Sequence, residues 1–150
     1  MKIGISACLL GEKVRYDLTD KRNDKIIELV KGHEVIAICP EASAGFPLPH
    51  EPLEILNNKV YTQSGIDATE KLHEGSRKCL EMIKDCDLLI LKSKSPSCGY
   101  GKIYDGSFSG KLIKGNGVFT DLSLKNGIAV FNETQIEEIE KMISQADCDR

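Results

Sequence analysis

The run Leu88-Leu89-Ile90-Leu91, bounded by Asp87 and Lys92, constrains the fold of this 150-residue chain more than any other feature. Successive side chains of a strand point to opposite faces, so an unbroken apolar run leaves neither face fit for water. Such a strand belongs inside a sheet covered on both sides, as in parallel α/β proteins. Three further short apolar runs agree: residues 3–7, residues 35–38 ending at Cys39-Pro40, and residues 128–131. Helical spacing separates them. Ile26, Ile27 and Val30 follow Asn23, a good N-cap residue. A long amphipathic stretch starts at Asp67, with Glu70 suggesting a capping-box variant and Leu72, Cys79, Leu80 and Ile83 on one face. Residues 134–146 place Ile136, Ile139, Ile143 and Ala146 on the inner face of a last helix.

This alternation predicts an α/β fold, a single-domain Rossmann-like parallel sheet flanked by helices over residues 1–150, with right-handed crossovers. Two stretches resist the pattern. Residues 40–56 hold four of the five prolines and read as an irregular Pro-rich segment. Residues 99–117 hold six glycines and read as a Gly-rich hairpin or lid, with a turn at Asp105-Gly106. Long irregular segments in a small domain are commonly functional.

Composition removes several function classes. Twenty basic against 23 acidic side chains give a net charge of −3, which does not suit phosphate neutralisation, so nucleic acid is an unlikely partner. With no Trp and 5% aromatic residues, a base-stacking platform for a nucleic-acid strand is also disfavoured. No apolar stretch approaches the roughly 20 residues that cross a bilayer, and the apolar N-terminal stretch is too short for a signal peptide. No membrane partner is expected, and the predicted location is cytoplasmic. Nothing in the sequence specifies an oligomeric state. In a reducing compartment six cysteines call for burial, metal or catalysis rather than disulfides.

Their positions sort them. Cys8 follows the first predicted strand, Cys39 the second, and Cys98 lies six residues beyond Lys92 at the end of the third. The carboxyl ends of parallel strands share one edge, where ligands bind, and neighbouring strands lie about 4.8 Å apart. Three thiols distant in sequence are therefore expected to converge, although burial alone also explains many cysteines. Cys86 precedes the third strand, some 16–20 Å from that edge by strand geometry. Cys79 falls inside a helix and Cys148 in the tail, so these three read as inert. Soft thiolates select zinc, copper(I) or an iron–sulfur cluster. A structural zinc site closes with four ligands, and no C-x-x-C pair occurs. Three thiolates on a cubane leave one iron open, as catalytic metal sites do.

Five motifs, in order, resemble the thiouracil desulfidase family: Cys8-Leu9-Leu10-Gly11, Val14-Arg15-Tyr16-Asp17, Cys39-Pro40-Glu41, Ser95-Pro96-Ser97-Cys98-Gly99 and Ile103-Tyr104-Asp105-Gly106. The resemblance runs from the N-terminus to about Phe131. It implies a 4Fe–4S cluster (4Fe-4S) on Cys8, Cys39 and Cys98, and non-redox removal of sulfur from a thiolated pyrimidine, a small-molecule thiolated base. The catalytic carboxylate falls on Glu41. The active-site serine falls on Ser95 or Ser97, with Ser95 favoured. Arg15 and Tyr16 are expected to orient substrate. Two departures stand out: Leu18 replaces the glycine that usually follows Tyr-Asp, a turn variation, and His50 replaces an arginine after Pro47-Leu48-Pro49. His33, His50 and His73 read as surface residues, with His50 kept as a substrate contact because of its neighbourhood. Two other functions use the same thiols, an iron or oxygen sensor without catalysis and a zinc-thiolate hydrolase; the sensor needs neither Glu41 nor a substrate pocket.

Overall fold

The apolar run at residues 88–91 is an inner strand of a four-stranded parallel sheet. The computed structural model describes residues 1–148, with side chains to residue 146. In chain order the elements are β1 (Lys2–Ser6), a 3-10 turn (Ala7–Leu10), α1 (Asp24–Leu29), β2 (Glu34–Ile38) and α2 (Pro40–Ser43). Next come β3 (Leu53–Leu56), β4 (Lys59–Thr62), α3 (Thr69–Ile83) and β5 (Leu88–Leu91). The last are β6 (Lys102–Tyr104), β7 (Leu112–Lys114), α4 (Val118–Lys125), β8 (Val130–Asn132) and α5 (Ile136–Cys148). The main sheet has the order β2-β1-β5-β8, all parallel. Two antiparallel hairpins, β3-β4 and β6-β7, lie outside it.

Strand β5 shows why both faces must be covered. Leu88 and Ile90 pack with Ile3, Ile5, Ile26 and Val30 and with Ile139 and Ile143 of α5. Leu89 and Leu91 pack the other way, on Cys79 and Ile83 of α3 and Phe119 of α4. All four are fully buried, each worth about 1.5–3 kcal/mol of hydrophobic stabilisation. Gly4 lets the layers close: a Cβ there would stand 2.5 Å from Leu89 Cδ2 and 3.1 Å from Ile83 Cγ2.

The α/β architecture matches the expectation, and Asn23 caps α1 by accepting the Ile26 N–H at 3.1 Å. Several boundaries differ for physical reasons. Asp67 accepts the Thr69 N–H at 2.9 Å in a turn ahead of α3, and Glu70 reaches Arg77 at 3.0 Å, so no capping box forms. Residues 35–37 are only half-buried, since β2 is an edge strand paired with β1 alone. The last strand starts at Val130, because the Ile128 N–H still belongs to the end of α4, bonding the Ser123 carbonyl at 3.1 Å. Ile139 and Ile143 carry the packing of α5, while Ile136 and Ala146 lie half-buried at its margin.

The two irregular stretches are more ordered than expected. The Pro-rich segment contains α2 and β3, and β3 turns into β4 through Asn57 and Asn58, both at positive φ (52° and 65°), the signature of a tight hairpin. The Gly-rich segment does form a hairpin, but Asp105-Gly106 is no two-residue turn: residues 105–111 link β6 to β7. Among the described residues no helix is long and apolar enough to cross a membrane.

Candidate functional site

The chain leaves β1 toward β2 on one side and returns as β5 on the other, so β1 and β5 flank a topological switch point, where open α/β sheets bind ligands. The Ser6 hydroxyl ties the two strand ends by accepting the Lys92 N–H at 2.9 Å. Beyond this edge lies a cavity of about 480 Å³ whose lining includes Cys8, Cys39 and Cys98. Arg15, Tyr16, Glu41, Ser95 and Ser97 line it as well. The convergence expected from strand order is therefore present.

Each thiol is placed by local structure. Cys8 sits in the 3-10 turn after β1, which closes at Gly11 with φ +97°. Cys39 occupies the N-cap of α2 in extended conformation, with Pro40 in the first helical position, where a missing N–H costs nothing. Cys98 depends on two supports. The Ser95 hydroxyl oxygen accepts the backbone N–H groups of Ser97 (3.1 Å) and Cys98 (3.0 Å). From the other side, the first N–H groups of α4 donate into the same loop: Val118 to the Pro96 carbonyl at 2.9 Å, Phe119 and Thr120 to the Ser97 carbonyl at 2.9 and 3.3 Å. A helix N-terminus without side-chain caps thus satisfies its donors on the segment that carries the cysteine.

Glu41 enters the cavity from α2, with its side chain 16% exposed. Its Oε2 accepts from the Ser97 hydroxyl at 3.4 Å, and its Oε1 lies 3.7 Å from His50 Nε2. Burial pushes its carboxyl above the usual range, while His50, Ser97 and Arg15 pull it back. Ser97 is 1% exposed, and its hydroxyl also lies 3.7 Å from Cys98 Sγ.

The surface reading of His50 is corrected. Its side chain is 7% exposed, tilted against Phe46 and Tyr16 with ring centroids 5.1 and 6.1 Å away. It is not among the residues that line the cavity, and its Nε2 faces Glu41. Nδ1 lies 2.6 Å from the Glu51 carbonyl and donates to it, leaving buried Nε2 with only Glu41 in front of it. His33 meets the N-terminal amine at 3.1 Å, and neither it nor His73 lines the cavity. Leu18 occupies a left-handed position, φ +64°, where a glycine would sit without strain.

Burial raises all three cavity thiols. Cys8 is pushed up to about 11 against the opposing charges of Arg15 and Lys92. Burial raises Cys39 to about 11, with Glu41 adding to it, and burial likewise holds Cys98 well above the ordinary thiol value. A cationic centre reverses this, since a coordinating thiol is deprotonated outright. Three soft thiols lining one cavity are a donor set that suits an iron–sulfur cluster. Among the described residues no three His, Cys, Asp or Glu side chains are gathered as one metal ion requires. A cluster asks for wider spacing, because each thiolate binds a different iron. All three thiols are free, as are Cys79 and Cys86, both buried away from the cavity. The side chain of Cys148 lies outside the described residues.

The lining also includes groups that motif reasoning passed over: Glu54 from β3, Lys92, and Phe108 from the loop after β6. Lys92 is held by Glu133 at 3.2 Å. Tyr104, also in the wall, was visible within the Tyr-Asp-Gly motif, whereas no spacing rule connects Glu54 to the cysteines.

Comparison with known proteins agrees with this geometry. The sequence model of the 2-thiouracil desulfurase family matches residues 3–135. The chain belongs to the 2-thiouracil desulfurase family. Among solved structures, this desulfurase superposes on a [4Fe-4S]-dependent thiouracil desulfidase, TudS, with a TM-score of 0.89 and 38% identity, over 96% of this chain and 98% of that one. A Bacillus subtilis (strain 168) protein, named uncharacterized protein YbbK, is 39% identical over 147 residues, covering 90% of the desulfurase and 97% of the relative. The resemblance found in the five motifs is thereby confirmed, together with the α/β fold.

Proposed function

We propose that this desulfurase converts thiouracil to uracil and sulfide by hydrolysis, at a [4Fe–4S] cluster held by Cys8, Cys39 and Cys98. The observation that carries the reading is that three buried thiols and the Glu41 carboxylate line one cavity at the switch point of the sheet. The name of the TudS relative, at 38% identity, supports the cofactor and the substrate. When bound, such a cluster supplies an iron free of protein ligands, a Lewis acid for a thiocarbonyl sulfur.

The residues of the chain supply the rest. Glu41, two positions after Cys39, takes a proton from the water that attacks the thiocarbonyl carbon, as a general base. The Ser97 hydroxyl donates to one oxygen of that carboxylate at 3.4 Å, and His50 Nε2 faces the other at 3.7 Å. As the adduct collapses, the carbon keeps the water oxygen and sulfide departs, with Ser97 positioned between Glu41 and Cys98 to pass a proton toward it. Ser95 accepts two backbone N–H groups and meets the Ser97 hydroxyl at 2.9 Å, which supports a scaffold role for Ser95 and the reacting role for Ser97. Arg15 and Tyr16, packed on each other with the guanidinium 5.7 Å from the ring centroid, orient the base. Carbon and sulfur keep their oxidation states, so no electron donor takes part.

Anaerobic reconstitution with iron and sulfide, followed by a visible spectrum and sulfide release from 2- and 4-thiouracil, tests the proposal. Glu41→Ala is expected to keep the cluster spectrum and lose about 10²–10⁴ in rate, the range of a general base. A variant with the cluster intact and full desulfuration would remove Glu41 from the mechanism.

A further inference from the structure

Glu54 is a carboxylate on β3, 9% exposed, with no cation among its hydrogen-bond or ion-pair partners in the described residues. One of its oxygens, Oε1, accepts two backbone N–H groups from the loop after β6, Gly106 at 3.0 Å and Phe108 at 3.0 Å. The loop is pressed onto β3 as well: a Cβ on Gly106 would stand 2.7 Å from Leu56 Cβ and 2.8 Å from the Ile55 carbonyl oxygen. At the end of this clamp Phe108 adopts φ +56°, which a bulky L-residue avoids unless its surroundings impose it. Its side chain is half-buried, and it lines the same cavity as the three thiols. Strained backbone, a buried acceptor and a glycine-tight contact thus serve one result, an aromatic ring fixed in the cavity wall.

We infer that Phe108 is a specificity-determining residue, the face on which the planar heteroaromatic ring of the substrate stacks, and that Glu54 is its positioning residue. The inference rests on the desulfidase reading and adds how a thiolated base is told from an acyclic thioamide. Stacking acts on substrate and product alike, because both are planar, so it governs binding and leaves the chemical step to Glu41 and Ser97.

The test uses the reconstituted protein and reads KM and kcat for thiouracil, inhibition by uracil and cluster absorbance. Phe108→Ala and Phe108→Leu are expected to raise KM and the uracil inhibition constant about tenfold or more, within the range of base–aromatic stacking. Both should leave kcat within about threefold and the absorbance unchanged, and Phe108→Tyr should bind as the native protein does. Glu54→Ala should follow Phe108→Ala, whereas Glu54→Gln, which keeps the acceptor oxygen, should restore binding. Native-like binding by Phe108→Leu, or a fall in kcat with KM unchanged, overturns the inference. If the native protein released no sulfide from thiouracil, the desulfidase reading would fall separately. Calorimetric titration with uracil then decides for Phe108: weaker binding by Phe108→Ala than by the native protein upholds the stacking wall, and equal binding by the two, or no binding by the native protein, overturns it.

Discussion

Gly75 of α3 lies directly against Pro40 of α2: a Cβ on the glycine would stand 2.1 Å from the Pro40 carbonyl oxygen and 2.6 Å from the Ala44 side chain. The turn that carries Cys39 and Glu41 is seated on the long helix through this contact. Gly75→Ala must push α2 outward, since a backbone carbonyl cannot swing aside as a flexible side chain does. Overpacking of this kind costs about 1–3 kcal/mol, and the thermal midpoint should fall by several degrees. Iron bound after reconstitution should fall with it, because Cys39 moves. An unshifted midpoint with full iron loading would contradict this account of α2.

The thiols separate cleanly by position. Cys8→Ser, Cys39→Ser and Cys98→Ser should each abolish or strongly reduce cluster absorbance, while Cys86→Ser should leave absorbance and sulfide release unchanged. Cys86 lies at the opposite end of β5 from the cavity, and burial pushes its thiol up to about 11. Below that value its thiolate fraction falls about tenfold per pH unit. Alkylation of Cys86, followed by peptide mass spectrometry, should therefore be slow at pH 8 and still be accelerating at pH 10.

The two serines of the Cys98 loop should fail in different ways. Ser95→Ala removes the acceptor of two backbone N–H groups, so cluster content and stability should drop, the latter by about 0.5–2 kcal/mol as for a lost cap. Ser97→Ala removes the hydroxyl between Glu41 and Cys98 and should keep the cluster while lowering kcat at least tenfold. Equal behaviour of the two variants in both assays would refute the division of roles.

Leu18 offers a gain. Its left-handed conformation costs about 1–2 kcal/mol for an L-residue, and glycine gives back only about 0.5–1 kcal/mol through its freer unfolded chain. Leu18→Gly should raise stability by up to about 1 kcal/mol in denaturant titration, with no change in turnover. Leu18 is 47% exposed, so little packing is lost.

The main sheet was legible because its evidence is local and strong. Leu88 to Leu91 admit no amphipathic alternative, and Cys8, Cys39 and Cys98 are read together from their positions after three strands whose ends share one edge. What was not legible depends on contacts across the chain. Helix α4 has weak amphipathicity and begins at Gly117 without a side-chain cap, because its cap is the carbonyl pair of Pro96 and Ser97. Asp67 offered a capping signal, yet it stands one residue before the N-cap Ala68 and its carboxylate is used on the Thr69 N–H. The histidine after the prolines could not be placed from spacing, since Tyr16 comes from a distant segment and Glu41 and Phe46 reach it through an irregular path of the chain. Glu54 had no signal of any kind, for its partners are backbone groups more than fifty positions later.

The donors that α4 spends on the loop before it also set a schedule. A nascent chain halted at residue 116 already contains Cys8, Cys39 and Cys98, but nothing yet grips the last of them from behind. Only when the following turn of helix has emerged and docked does the third sulfur acquire a fixed address. The seat of that sulfur is accordingly completed by a part of the chain made after the sulfur itself.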